Sequence, residues 1–212
     1  MKIRKPAYWL IMPKCTIITH ASLIIICCLL FSCNTDYVQK PRGYFKIELP
    51  EKKYQVFDQP AYPYSFEYPV YGKITPDTNF FGQKPENPYW MNIDFPSLGG
   101  RIYISYKAIG AGQKLDKLIE DSYEMTSFHT KKADYIEDVV YSVDSTDVHA
   151  VFYNVTGNAA SAYQFFATDS SRHYIRGALY FDVTPNADSL KPVNDFLRVD
   201  MEHMLKTLRW RN

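Results

Sequence analysis

The chain has 212 residues, 46% of them hydrophobic and 16% aromatic, with 24 Lys+Arg against 23 Asp+Glu. A formal net charge of +1, with no basic run beyond the pairs Lys52-Lys53 and Lys131-Lys132 in the body of the sequence, argues against a nucleic-acid partner, whose binders cluster Lys and Arg. Four cysteines, three of them between Cys27 and Cys33, pose a choice between a metal site, a disulfide cluster and a segment that processing removes.

The N-terminus decides that choice. Residues 1–14 carry Lys2, Arg4, Lys5 and Lys14 and no acid, and the apolar run Cys15–Phe31 holds no charged side chain. A basic region followed by an apolar one is the layout of a secretory signal. A retained anchor helix, the alternative, needs about 20 predominantly apolar residues. This run is shorter, and Thr16, Thr19, His20 and Ser22 dilute it. Leu30-Phe31-Ser32-Cys33 then resembles the signal box of bacterial lipoproteins, with Phe31 bulkier than the residue usual at its place. The thiol of Cys33 is the expected lipid-attachment site, and 1–32 the signal peptide. Cutting there removes Cys15, Cys27 and Cys28, so the mature chain has no second cysteine for a disulfide or a Cys-based zinc site. Removing four basic residues leaves 20 against 23 acids, a net of −3. Two acyl chains on sulfur and a third on the new amine hold such a chain to a membrane, because stable anchoring takes more than one chain.

Between Tyr37 and Trp90 lie eight of the thirteen prolines and fourteen aromatics, so this part reads as extended chain, short strands and loops. Residues 33–60 are expected to form a lipidated extended tether and 61–212 a single α+β domain. Tyr64, Phe66 and Tyr68 alternate with Ser65 and Glu67 as a strand does, with 71–75 as a candidate partner strand. "WMNIDF" and "RIYISYK", joined by "PSLGG", predict a hairpin over 90–107. "GAGQ" opens a helix whose stripe is Leu115, Leu118, Ile119, Ser122 and Met125. Four β segments follow, at about 134–143, 147–155, 161–168 and 173–183. "VHAVFYNV" and "AYQFFA" are apolar enough for central strands covered on both sides. A last helix repeats Val193, Phe196, Leu197, Met201, Met204, Leu205 and Leu208 at three and four, with Ser189 and Pro192 suited to its first turn. The order predicts an α+β fold: a mostly antiparallel sheet of about six strands covered by two helices. It resembles the Mog1/PsbP-like sandwich, an analogy of fold that carries no function.

No catalytic motif is present: no G-x-S-x-G, no H-E-x-x-H, no P-loop and no G-x-G-x-x-G. "GAG" at 110–112 lacks the third glycine and reads as a hinge into the helix. His129, His149, His173 and His203 show no i, i+4 pair of the kind zinc hydrolases use, so no metal ligand set and no cofactor is expected. A Ser–His–Asp triad assembled from distant residues stays open, since spacing does not select one. The aromatic stretch supports two readings. As core, Tyr64, Phe66 and Tyr68 fill one sheet face. As a partner surface, Tyr62, Tyr71, Phe80, Phe81, Tyr89 and Trp90 would present apolar area with polar handles.

The phrases "YVQKPRGYFKIELPEKKY", "YPYSFEYPVYG", "PYWMNIDFP" with "RIYISYK", and "RGALYFDVTPNADSLKPVNDF" with "HMLKTLRW" resemble the gliding motility lipoprotein GldD family over essentially the whole mature chain. The resemblance implies a non-enzymatic envelope lipoprotein. It would be needed for gliding motility and the type IX secretion machinery, beside lipoproteins such as GldB and GldJ. Asn34-Thr35-Asp36 after Cys33 lacks the acidic run of surface-exposed lipoproteins, which places the expected anchor at the periplasmic face of the outer membrane. The alternative is a lipid-anchored enzyme or small-ligand-binding protein on the same fold, with a pocket between the sheet and the first helix. A third reading, a passive outer-membrane tether, needs only Cys33 and linker length.

Overall fold

The alternating segments of the sequence become an antiparallel sheet of seven strands. In chain order these are β3 (Lys73–Pro76), β4 (Met91–Phe95), β5 (Gly100–Ala108), β6 (Ala133–Val143), β7 (Val148–Gly157), β8 (Tyr163–Thr168) and β9 (His173–Phe181). The computed structural model describes residues 46–79, 82–110, 112–128 and 132–211, all within one compact unit. The signal segment and Cys33 lie outside the described residues. In space the sheet runs β3-β4-β5-β9-β8-β7-β6. A smaller sheet, ordered β1-β2-β10, joins β1 (Tyr54–Phe57), β2 (Tyr64–Pro69) and β10 (Arg209–Trp210). Two helices complete the fold, α1 (Leu115–Ser127) and α2 (Ala187–Thr207).

The predicted hairpin forms, with Met91 opposite Ile104 and Phe95 opposite Gly100. Gly100 then continues into the β5–β9 pairing, where Ile102 faces Leu179 and Ile104 faces Gly177. Two expectations are corrected. The strand after Tyr71 pairs with β4, Ile74 opposite Ile93, and not with 64–68. β2 instead takes β1 on one side and the C-terminal Arg209–Trp210 on the other. β8 is buried at every position, as a central strand should be, whereas β7 keeps exposed residues such as His149 because only β6 lies beyond it.

The two faces of the large sheet are covered differently. On one, α2 and the small sheet enclose the main core: Tyr64, Phe66, Met91, Ile93, Ile102, Phe165, Leu179, Leu197, Met201 and Leu205 are fully buried. The Asn186 carboxamide accepts the Ser189 N–H at 3.0 Å and caps α2. Pro192 falls in the second turn, one later than expected. On the other face α1 packs through Leu118 onto Tyr153, Phe166 and Tyr174. Its buried stripe is Leu118, Ser122 and Thr126, and Met125 is 47% exposed. The stripe shifts because the sheet below is polar: Ser122 shares a 2.5 Å hydrogen bond with the Tyr174 hydroxyl, and Thr126 donates to Gln164 Oε1 at 3.3 Å. Before α1, Gly110 and Gln113 exchange backbone hydrogen bonds, so the glycine pair turns the chain into the helix.

Gly177 carries a steric demand that the core depends on. A Cβ added there would lie 2.2 Å from the ring of Phe165, its partner across β8–β9. The aromatic ring occupies the space a side chain would take. Gly177→Ala is expected to destabilise the fold by about 2–3 kcal/mol through overpacking. Phe165→Leu should relieve part of that clash, so urea unfolding of the double variant should show a loss smaller than the sum of the two singles.

Candidate functional site

Lys52 lies in the segment expected to be free tether, and the structure corrects that boundary. Its ammonium sits 2.7 Å from Oδ1 of Asp200, a residue of α2 that is only 2% exposed. It also donates to the Phe196 carbonyl at 2.6 Å and to the Tyr71 hydroxyl at 3.2 Å, with its charge 3.5 Å above the Phe196 ring. An ammonium has three donors, and all three are engaged. Two phenols complete the shell of the carboxylate: Tyr54 donates to Oδ1 at 2.9 Å and Tyr71 to Oδ2 at 2.5 Å. The Tyr54 ring stacks on His203 at 3.7 Å, and His203 Nε2 meets Glu67 at 2.7 Å. Lys52, β1, the end of β2 and α2 are thereby tied at one point.

Burial sets the electrostatics. It lowers the Lys52 amine, with the bond to Asp200 pulling the other way. It raises the phenols of Tyr54 and Tyr71, reinforced by the Asp200 bond and charge. With every donor of Lys52 committed, the cluster holds chain segments together and offers no free amine for covalent chemistry.

The six aromatics of the candidate partner surface do not form one patch. Trp90 is 8% exposed and packs in the core, its indole N–H donating to the Tyr106 carbonyl at 2.9 Å. Tyr71 belongs to the clamp. Tyr62 and Tyr89 are brought together edge to face at 5.9 Å, both half-buried on the rim of the core. Tyr62 also packs against Phe57 and Tyr64, and Tyr89 against Tyr106. Phe80 and Phe81 lie outside the described residues. Proline-rich loops fold Trp90 and Tyr71 inward and leave Tyr62 and Tyr89 half-buried, which periodicity cannot foresee because a loop has no repeating face.

The histidines are dispersed. His149 is exposed on β7; His173 is buried, with Nδ1 2.9 Å from the Tyr106 hydroxyl and its ring stacked on Trp210. His203 belongs to the clamp's edge, and His129 lies outside the described residues. Among the described residues no three of His, Cys, Asp and Glu gather as a metal-binding group. No described helix is long and apolar enough to cross a membrane. A half-open cleft of about 530 Å³ does lie between α1 and the sheet, floored by Ile119, Ile136, Val151, Tyr153 and Phe166.

Removing a partner from a buried ion pair leaves an uncompensated charge, which costs about 3–5 kcal/mol. Lys52 retains some solvent, so Asp200→Ala is expected near the low end, about 3 kcal/mol by urea unfolding. The alkaline limb tests the same cluster. The folded state keeps phenol protons that the unfolded chain releases near pH 10, so that contribution is intact below about pH 10 and is lost above it. Lys52, lowered on folding, works in the opposite sense, but two phenols oppose one amine. Tyr54→Phe with Tyr71→Phe should therefore flatten the fall in stability between about pH 9 and pH 11.

Comparison with known proteins adds three findings. No curated protein matches the chain. The solution structure of cyanobacterial PsbP (CyanoP) from Synechocystis sp. PCC 6803 is similar over 81% of this chain and 99% of that one, at 11% identity and a TM-score of 0.43. The model of the family described as "Gliding motility lipoprotein GldD" matches residues 34–210. That span takes in every strand and both helices described above, and on it the chain belongs to the gliding motility lipoprotein GldD family.

Proposed function

We propose that this protein is a non-enzymatic component required for the assembly or stability of the gliding and type IX secretion machinery, anchored through acyl chains on Cys33 at the periplasmic face of the outer membrane. The observation that carries the reading is the family match, which begins at the residue after Cys33 and continues to the last strand. The clamp supports it. Lys52 fastens the chain that leads from Cys33 to α2, so force on the anchor reaches the folded body through charged and hydrogen-bonded contacts. Eighteen residues separate Cys33 from Lys52, an extended reach of up to about 65 Å. The partners in this reading are sister lipoproteins such as GldB and GldJ.

Two measurements test it. Cys33→Ala should abolish metabolic labelling with palmitate and release the chain from the membrane fraction. Retention of label in that variant would refute the anchor. Affinity isolation of the wild-type lipidated protein from solubilised envelopes should recover gliding or secretion components. Recovery of none, under conditions that keep those complexes whole, would refute the assembly role.

A further inference from the structure

The two edges of the seven-stranded sheet are unlike. The β3 edge is four residues long and carries Lys73 and Pro76, which blunt pairing with another strand. The β6 edge is eleven residues long, ADYIEDVVYSV, with neither lysine nor proline. Among the described residues its only strand neighbour is β7, so its outer row of backbone N–H and C=O groups faces away from the sheet. Val140 is 73% exposed and Tyr135 63%. Such an edge is a template for an added strand.

The surroundings specify the occupant. The cleft of about 530 Å³ runs between this strand and α1, with Ile119, Ile136, Val151 and Phe166 among its apolar walls. Asp134 and Asp138 of β6 sit on its rim, and among the described residues no Lys or Arg lines it. Glu137 adds a third exposed carboxylate along the same strand. A strand laid against β6 would alternate its side chains, sending those of one face over β6 toward the cleft. Ile136 and Asp138, paired with Val155 and Tyr153, share the cleft face, whereas Glu137, paired with Asn154, points the other way. Basic groups sent to the cleft face would meet Asp134 and Asp138, and the alternating apolar groups would lie on the opposite face beside Val139 and Tyr141. A second copy of this chain fits poorly. Full-length antiparallel pairing of β6 with itself has Asp138 at its midpoint, directly opposite Asp138 of the other copy, and opposed like charges destabilise a strand pair.

We infer that β6 and the cleft beside α1 form a docking groove that accepts an extended partner segment of alternating basic and apolar residues as an eighth strand. The inference rests on the assembly reading for the existence of a protein partner, but its test needs none of the envelope machinery. The full-length chain in detergent micelles is mixed with a peptide of alternating lysine and valine long enough to span β6, and with a glutamate–valine control. Hydrogen exchange is then followed along the chain.

The lysine peptide is expected to slow exchange in 133–143 by about tenfold, the glutamate peptide much less, and the effect should weaken with added salt. Asp134→Lys with Asp138→Lys changes only exposed side chains and should reverse the preference between the two peptides. No protection of β6 by either peptide would overturn the groove. Equal protection by both, or no reversal in the double variant, would overturn the basic partner. Protection of β6 that grows with protein concentration alone would assign the edge to a second copy and overturn the inference. None of these outcomes bears on palmitate labelling or on recovery of secretion components, so a failure here is distinct from a failure of the assembly role.

Discussion

A carboxylate buried on a helix is tolerable only when the groups around it replace the water it has lost. Asp200 meets that condition through an ammonium and two phenols from two separate parts of the chain, Lys52 with Tyr54 and, further on, Tyr71. Each donor fixes something else. Lys52 fastens the segment before β1 to α2, Tyr54 seats β1 beside α2, and Tyr71 holds the turn between β2 and β3. The small sheet has few residues of its own and would be marginal alone. Tied to α2 at this point, it becomes the outer layer of the main core, and Phe57, Tyr64 and Phe66 are buried beneath it.

The two faces of the large sheet consequently differ in kind. Beneath α2 the side chains are close-packed aliphatic and aromatic groups, and positions such as Gly177 admit no extra atom. Beneath α1 the small apolar cluster of Leu118, Tyr153, Phe166 and Tyr174 is joined by hydroxyls and an amide, Ser122, Thr126 and Gln164. The shorter helix covers less of the sheet and leaves the cleft open beside β6. One face provides rigidity, and the other leaves room for an incoming chain.

Much of this was legible in the residues. Alternation in "WMNIDF" and "RIYISYK" located the hairpin, and the three-and-four repeat from Val193 to Leu208 located α2. The clamp was hidden for a definite reason. Lys52 and Asp200 are far apart in sequence, and pattern analysis treats each as a solvated charge. One signal pointed to it: Asp200 lies on the same helical stripe as Val193, Leu197 and Met204, where a carboxylate needs a partner. On α1 the sequence placed Ser122 on the stripe; Thr126 carried the same signal, but hydrophobicity favoured Met125. The partner-surface reading of Trp90 went astray because sequence shows aromatic content without showing which way a proline-rich loop turns it. The number of strands, seven and three in place of about six, followed from elements of two to four residues, too short to carry a period of their own.

The position of the clamp also sets a concentration. Had the chain been free to Pro60, twenty-six residues would lie between Cys33 and the domain; fastening it at Lys52 leaves eighteen. At roughly 3.4 Å per residue this removes about 27 Å from the maximum radius. For a flexible leash the effective concentration falls roughly as the −3/2 power of its length, so eighteen residues in place of twenty-six raise the local concentration at a nearby site by about 1.7-fold. One buried ion pair thus sets the length of chain between Cys33 and the domain.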